Sequence, residues 1–443
     1  MVFLFPWAAR GMLTNREDET MRFRFGAILG TCLLALLVLA CDGSTPSLPP
    51  IGQPATEADE LSWLRRVAMD RVLDYRVWRG ARSGYVALVA RNGRVVFGRT
   101  TGWQDIDAGI PMALDTRFHL ASMTKPITAV AAMILVQEGR LSLDDRVAAY
   151  LPSFEDLDVV VDRDAEGGWR VGPLAEPIRI RHLLTFSSGI GGYSETEDRL
   201  DRTWRSPDIE AAGLGSLADR IELISSLPLY EQPGERWRYG WSLDVLARVI
   251  EIAAGQPYDV FLQRRLFDPL GMDATGFPSA LPPDVPFAKM YTHAEDGSLV
   301  HDPQFDGYYG RGWTPGGGGL VSTAPDYLRF ALMLWNGGSW NGVRILTPKT
   351  VEEMTRLHVP SGVLEDIQID GLGWGLGICV VADADVTPMP STNGDFWWSG
   401  RFGTHFWISP AKDTVVVVMQ QTERSAHSDL PFAASILQTL AMP

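Results

Sequence analysis

The sequence predicts an α+β fold, in which one antiparallel sheet built from both ends of the chain is flanked by helices and interrupted by a mainly helical insertion. Residues 85–90 and 95–98 are apolar runs on either side of Asn92-Gly93, the strongest short hairpin signal. Helical periodicity dominates from about residue 116 to residue 275. Strand-like runs return near the C-terminus, at residues 374–381, 396–398, 404–408 and 415–420.

The remaining elements follow from local patterns. Residues 61–78 predict an amphipathic helix whose apolar positions are Leu61, Leu64, Val67, Met69, Val72 and Leu73. Residues 158–180 resemble an inserted hairpin, and the charged residues 194–208 predict a surface loop that overhangs a cleft. Further helices are predicted at residues 122–137, 243–254 and 432–440.

Composition and charge restrict the class of protein. The chain has 443 residues, of which 46% are hydrophobic and 21% are charged, as in globular proteins. Its net charge of −15 excludes nucleic acid as an expected partner, because a phosphate backbone repels an acidic surface. Neutral and cationic small molecules remain compatible, and the oligomeric state is left open.

The N-terminal region resembles a targeting segment. Met21-Arg22-Phe23-Arg24 is basic and precedes an apolar run at residues 25–40, which has the length of a signal peptide core. The run ends in Leu37-Val38-Leu39-Ala40-Cys41, which resembles a bacterial lipobox. We therefore expect residues 1–20 to be an over-extended start and residues 21–40 to be a lipoprotein signal peptide. An ordinary signal peptide is the alternative.

The lipoprotein interpretation predicts the fate of each of the three cysteines and the location of the protein. Cys32 leaves with the signal peptide, Cys41 carries lipid, and Cys379 stays unpaired, so no disulfide is expected. Residues 41–60 are rich in Pro, Ser, Gly and Thr and predict a flexible linker to a domain at residues 61–443. The expected location is the bacterial cell envelope, with the domain tethered to a membrane.

The most informative motif is Ser122-Met123-Thr124-Lys125, at the start of a predicted helix. Three residues turn an α-helix by about 300°, so Ser122 and Lys125 share one face. A serine hydroxyl needs a base to become a nucleophile, and a lysine amine is a base only when its pKa is lowered. The spacing thus allows one helix to carry both groups, although a serine at a helix start is also a common cap.

The same spacing recurs in Ser409-Pro410-Ala411-Lys412, where the context differs. This copy lies between two strand-like runs, so it predicts a hairpin turn with its lysine in solvent. Tyr239, just before the helix at residues 243–254, is a candidate proton carrier because neighbouring cations depress a phenol pKa. A packed aromatic residue beside Trp237 and Trp241 is the alternative interpretation for Tyr239.

Other kinds of site find little support. No G-x-S-x-G elbow is present, and His293 and His301 with Glu295 and Asp296 favour a solvated loop over a metal site. His119 and His405 are expected to be hydrogen-bonded structural residues. The glycine run 316–319 lacks the lysine of a phosphate-binding loop and predicts close backbone approach. We expect neither a metal nor a cofactor.

An ordered set of motifs resembles the serine β-lactamase and penicillin-binding superfamily, in particular its class C-like members and the family VIII carboxylesterases. The matching segments are residues 118–125, 181–189, 233–239, 316–327 and 395–403. The resemblance implies a β-lactamase/DD-peptidase-like fold over residues 61–443. It also implies that Ser122 is the nucleophile, Lys125 its base and Tyr239 the proton shuttle.

Two positions depart from the lactamase pattern. Trp241 stands where the second motif has asparagine, and Trp398-Ser399-Gly400 replaces the K-T-G or H-T-G triplet. Loss of that cation disfavours substrates with a carboxylate, and tryptophan favours an uncharged group. The W-x-G form is typical of family VIII carboxylesterases. Arg401 follows at once and restores some positive charge, which keeps lactam hydrolysis open.

The resemblance further implies an oxyanion hole formed by the backbone amides of Ser122 and Arg401. The sequence thus predicts a serine hydrolase that forms an acyl-enzyme, with a short-chain or aromatic ester as substrate. A β-lactamase or a D-amino-acid peptidase acting on an amide is the alternative. A non-catalytic sensor on the same fold is a second alternative, which the joint presence of Ser122, Lys125 and Tyr239 disfavours.

Overall fold

The computed structural model of the protein describes residues 51, 56, 60–163, 168–192, 199–204, 215–282, 287–303, 313–360, 370–423 and 430–442. Its centre is an eight-stranded antiparallel sheet in the order β12-β13-β14-β15-β16-β1-β2-β3. Helices cover both faces of this sheet, so the predicted α+β architecture is confirmed.

The strands are, in chain order, β1 Gly84–Arg91, β2 Arg94–Asp105, β3 Ile110–Pro111, β4 Phe118–His119, β5 Asp158–Arg163, β6 Trp169–Pro173, β7 Tyr291–His293, β8 Leu299–His301, β9 Val321–Ser322, β10 Ser339–Trp340, β11 Val343–Arg344, β12 Leu372–Trp374, β13 Cys379–Val381, β14 Phe396–Ser399, β15 His405–Ser409 and β16 Thr414–Met419. The helices are α1 Trp63–Trp78, α2 Thr124–Gln137, α3 Ile180–Leu184, α4 Arg199–Trp204, α5 Leu217–Ser225, α6 Ser242–Ala254, α7 Tyr258–Leu262, α8 Asp268–Leu270, α9 Ala324–Trp335, α10 Pro348–Thr355 and α11 Leu430–Ala441.

The two ends of the chain meet in the middle of the sheet. β1 pairs with β16 on one side, with Leu88 opposite Val417, and with β2 on the other. Asn92 and Gly93 both have positive φ, at 48° and 72°, which is the geometry that a two-residue hairpin turn requires. The predicted hairpin and the sheet built from both termini are therefore confirmed.

Neighbouring residues of β15 show which helices lie on which face. Successive side chains of a strand point to opposite faces. The Phe406 ring lies 5.2 Å from the ring of Tyr327 in α9, whereas His405 contacts Gln438 in α11. Tyr327 also donates a hydrogen bond to the Met123 carbonyl, so α9 and α2 lie on one face. The terminal helices α1 and α11, which pack together, lie on the other.

Glycines allow the α6 helix to approach the loop at residues 315–319. A Cβ on Gly316 would lie 2.2 Å from the Leu243 carbonyl oxygen, and one on Gly317 would lie 2.5 Å from Asp244 Oδ2. A side chain at Gly316 would require the backbone to move, and one at Gly317 would require the Asp244 carboxylate to move. The close approach expected from the glycine run is thus present, and it brings this loop beside α2, where Thr128 donates a hydrogen bond to the Gly316 carbonyl.

Several local expectations are corrected. In α1 only Met69 and Leu73 are buried, while Leu64, expected on the core face, is 68% exposed. Ile51, inside the predicted flexible linker, is packed in the core at 3% exposure. The predicted charged loop at residues 194–208 contains helix α4, whose Leu200 and Trp204 are buried. Apolar side chains at those two positions anchor α4 to the core. Residues 194–198 and 205–208 lie outside the described ranges.

Two further expectations are confirmed. β5 and β6 pair as the inserted antiparallel hairpin. The second S-x-x-K copy is a turn, because Ser409 ends β15, Pro410–Lys412 form a single helical turn, and Thr414 pairs back with Ser409. Ser409 is buried and Lys412 is half-exposed.

Candidate active site

Ser122 lies in the turn Ala121–Met123 that leads directly into α2. Ala121 has φ of 46°, a left-handed conformation that is uncommon for a residue with a Cβ and is found at sites held by their surroundings. The Ser122 side chain is half-buried, and its Oγ accepts a hydrogen bond from Lys125 Nζ at 3.3 Å. The candidate nucleophile and the candidate base of the motif are thus in contact within one helical turn.

Lys125 is a fully enclosed amine. Its side chain is 1% exposed, and Nζ donates a hydrogen bond of 2.6 Å to the Gly317 carbonyl. Burial lowers the pKa of Lys125 to about 7, although the Asp244 carboxylate raises that pKa in the opposite direction. Near neutral pH a large fraction of Lys125 is therefore unprotonated and able to accept the Ser122 proton.

Asp244 is the residue that sequence reasoning missed. It is completely buried in the first turn of α6, and its Oδ1 accepts a hydrogen bond from the Gly317 amide at 3.0 Å. Gly317 thus joins the two charged groups, with its amide on Asp244 and its carbonyl on Lys125. The sequence signal was an acid in the first turn of an otherwise apolar segment, which is also the ordinary place for a carboxylate on a helix surface.

Tyr239 joins the pair through Lys125. The Lys125 Nζ lies 4.6 Å from the centroid of the Tyr239 ring, within range of a cation–π interaction when the amine is charged. The Tyr239 side chain is 5% exposed and packs against Phe186 at 5.0 Å and Trp237 at 5.8 Å between ring centroids. The structure therefore brings Tyr239 to the amine of the motif and also packs it among aromatic residues.

Trp398 continues this aromatic surface from the sheet. Its ring lies 5.7 Å from Tyr239 and 4.7 Å from Trp374, in a T-shaped arrangement with the latter. Trp374 in turn contacts Phe186 and Trp237, each at 5.4 Å. Within the described residues, the buried Trp398 Nε1 has no hydrogen-bond partner. An indole with one unused donor stands where related motifs carry a cation.

Gly400 and Arg401, which follow Trp398 and Ser399, have different structural roles. A Cβ on Gly400 would lie 2.2 Å from the Leu120 carbonyl oxygen, so glycine is required for β14 to approach the turn of Ser122. Arg401 forms an ion pair with Glu423, with 3.1 Å between Nε and Oε1. The positive charge expected to replace the missing cation is therefore offset by Glu423. That the Ser122 and Arg401 amides form the oxyanion hole stays a prediction.

Ser399 lies on the opposite face of β14 from Trp398, because neighbouring side chains alternate. Its Oγ is 2.8 Å from His405 Nδ1, and His405 Nε2 is 3.1 Å from Gln438 Nε2 in α11. His405 is thus hydrogen-bonded, as expected, but to a residue of the third motif. The structure makes Ser399 an anchor of β14 as well as a candidate for substrate binding.

The remaining candidates lie around this centre. Trp241 is the N-cap residue immediately before α6, is 4% exposed and contacts Trp313 at 6.5 Å between ring centroids. The His119 ring stacks on Phe287 at 5.7 Å. Among the residues that the structure describes, no three His, Cys, Asp or Glu side chains are grouped so that they could hold a metal ion. Cys41 lies outside the described residues.

Comparison with known proteins agrees with this geometry. The sequence model of the Beta-lactamase family matches residues 69–441. The chain belongs to the beta-lactamase family. Esterase EstB of Burkholderia gladioli is 32% identical over 380 residues, which are 80% of this chain and 90% of EstB. Lovastatin esterase of Penicillium rubens is 30% identical over 304 residues, which are 66% of this chain and 73% of that enzyme.

A solved structure extends the family assignment to the fold. EstCE1, described as a hydrolase with promiscuous acyltransferase activity, is 26% identical and superposes with a TM-score of 0.71. The match covers 87% of this chain and 100% of EstCE1. The β-lactamase-type fold predicted from the motif set is therefore confirmed.

We predict that activity rises with pH through about 7, as Lys125 loses its proton. Asp244→Asn keeps an acceptor for the Gly317 amide but removes the charge that raises the pKa of Lys125. The midpoint of the pH–activity curve should therefore be lower by about one pH unit. The measurement is the pH dependence of kcat/KM for an ester. Asp326→Asn, at a buried aspartate in the first turn of α9, is the control and should leave the midpoint unchanged. An unchanged or higher midpoint in Asp244→Asn would contradict the role of Asp244.

A second prediction separates anchoring from substrate binding at Ser399. Ser399→Ala removes the hydroxyl partner of the buried His405, so we expect the free energy of unfolding to fall by about 1–3 kcal/mol. The kcat/KM of the folded enzyme should fall less than in Trp398→Ala. Urea unfolding and ester kinetics on the same preparations measure both. A Ser399→Ala enzyme with unchanged stability and a larger loss of kcat/KM than Trp398→Ala would refute the anchoring role.

Proposed function

We propose that this chain is a serine carboxylesterase that works through an acyl-enzyme. The observation that carries the proposal is the combination of the Ser122–Lys125 contact with Trp398 in the position of the third-motif cation. The first feature supplies acyl-serine chemistry, and the second removes the charge that a carboxylate-bearing lactam or peptide needs. The similarity to EstB and Lovastatin esterase supports the same activity.

The reaction proceeds in two steps. Ser122 Oγ attacks the carbonyl carbon of the ester while its proton passes to the neutral Lys125 amine. The bond between the acyl carbon and the alcohol oxygen then breaks, and the alcohol leaves with a proton delivered through Tyr239. In the second step water loses a proton to the same groups and attacks the acyl carbon, which releases the acid and restores Ser122.

The aromatic surface favours esters with a short or aromatic acyl group. Trp398, Trp374, Trp237 and Phe186 form a connected set of ring contacts next to Tyr239, and all four are nearly buried. Such a lining is apolar and offers no cation to a carboxylate, so it favours uncharged acyl groups.

A β-lactamase or D-amino-acid peptidase is the second candidate. Arg401 is the residue that favours it, because it lies directly after the third motif. Its ion pair with Glu423 argues against a free charge for a substrate carboxylate, since recruiting Arg401 would leave Glu423 without that contact.

We also propose that Cys41 is lipidated and tethers the domain to a membrane of the bacterial cell envelope. The support is the apolar run ending in Leu37-Val38-Leu39-Ala40-Cys41. In the described ranges, no helix combines the length and the apolar character needed to cross a bilayer. Ile51 is packed into the core and lies only ten positions after Cys41 (51 − 41).

The assay that tests the esterase compares a short p-nitrophenyl ester with a chromogenic cephalosporin. We expect faster turnover of the ester by the wild type and loss of both activities in Ser122→Ala, by about 10³-fold or more. Ser409→Ala is the matched control, because Ser409 belongs to the second S-x-x-K copy, and it should retain activity. Faster turnover of the cephalosporin would favour the lactamase, and undiminished ester turnover in Ser122→Ala would refute the mechanism.

A further inference from the structure

An unusual apolar surface lies on the first helix, away from the catalytic groups. In α1 the side chains of Trp63, Leu64, Tyr75 and Trp78 are 67%, 68%, 56% and 77% exposed. At 3.6 residues per turn these four positions fall within an arc of about 120°. The Tyr75 and Trp78 rings also contact each other at 5.9 Å. Single exposed apolar residues are normal, but a helical face with two tryptophans, a tyrosine and a leucine marks an interaction surface.

The opposite side of α1 packs on the sheet. Met69 and Leu73 of α1 are buried, and a Cβ on Gly102 of β2 would lie 3.0 Å from Val77 Cγ1. The exposed side of the helix therefore points away from the sheet. We call these residues the α1 face: Trp63, Leu64, Tyr75 and Trp78.

The charge around the α1 face is opposite to that of the whole chain. Residues 60–79 contain five arginines and three acids, which gives +2, in a chain whose net charge is −15. Two of those acids are further matched by a cation from β2, since Arg99 forms ion pairs with Asp70 and Asp74. Positive charge beside exposed tryptophan and tyrosine is the pattern of segments that lie in the interface of an anionic bilayer.

We propose that the α1 face docks on the anionic surface of the membrane that holds the chain. The proposal rests on the lipid anchor at Cys41 proposed above, which brings the membrane close. The ten Cα–Cα steps from Cys41 to Ile51 span at most about 35 Å when fully extended, so the lipid stays near the domain. One lipid anchor restrains distance but not orientation, and the α1 face supplies a second contact that fixes orientation.

In this docked orientation Ser122 lies on the side of the sheet that is away from the membrane. α1 and α11 cover one face of the sheet, whereas α2 and α9 lie on the other, as the opposite contacts of His405 and Phe406 show. A membrane against the α1 face therefore has the whole sheet between it and Ser122. The enzyme bound in this way takes its ester from the aqueous side.

The test uses the full chain, purified from membranes in detergent and reconstituted into vesicles of phosphatidylcholine and phosphatidylglycerol with brominated acyl chains. Bromine quenches indole fluorescence only on close contact. We expect strong quenching in the wild type, loss of most of it in Trp63→Phe/Trp78→Phe, and weaker quenching in phosphatidylcholine alone. Trp169→Phe/Trp335→Phe, which changes two half-exposed tryptophans elsewhere, is the control and should behave as the wild type.

The experiments distinguish failure of the membrane-docking proposal from failure of the lipid-anchor proposal. Equal quenching in the wild type and Trp63→Phe/Trp78→Phe would overturn the proposal. A wild-type dimer that Trp63→Glu converts to a monomer in sedimentation would assign the α1 face to a second copy and would overturn it too. Incorporation of labelled palmitate at Cys41, compared with Cys41→Ser, tests the lipid anchor independently. Ester hydrolysis should be the same in all these variants, which shows that they fold.

Discussion

The burial of the Lys125 amine is the constraint on which the active site depends. An exposed lysine is protonated at neutral pH and accepts no proton, whereas this one has lost most of its water. Asp244 limits how far that loss lowers the pKa of Lys125, because its carboxylate favours the charged amine. Gly317 contacts both groups through its two backbone polar atoms. Three elements therefore set the basicity of Lys125 together: the glycine run, the first turn of α6 and the start of α2.

We propose that Trp398 determines which substrates this base acts on. In a site with a cation at this position, a carboxylate on the substrate would gain a charged hydrogen bond. Here the corresponding surface consists of aromatic rings, and the nearest cation along the chain, Arg401, pairs with Glu423. The same nucleophile and base therefore act beside a surface suited to uncharged groups. Chemistry and specificity reside on different elements, α2 for the first and β14 for the second.

The sequence was sufficient to predict the sheet, its central hairpin and the Ser122–Lys125 pair, because each has a short-range signal. Asn92-Gly93 favours a hairpin turn, and a three-residue spacing on a helix places two side chains next to each other on one face. Asp244 was not predictable, since its importance comes from contact with Gly317, which is 73 positions away (317 − 244). The exposed side of α1 was missed for a related reason. Periodicity shows that a helix has an apolar face but not that it has a second one turned to solvent, as Leu64 demonstrates.

The composition of the chain makes the central claim directly measurable. The sequence contains only four lysines, Lys125, Lys289, Lys349 and Lys412. Protein labelled with ¹⁵N at the lysine side chains therefore gives four signals, and Lys125→Arg identifies the one that belongs to Lys125. A titration should show that signal changing at about pH 7. A Lys125 signal that titrates near the ordinary lysine value of about 10.4 would contradict the assignment of Lys125 as the base.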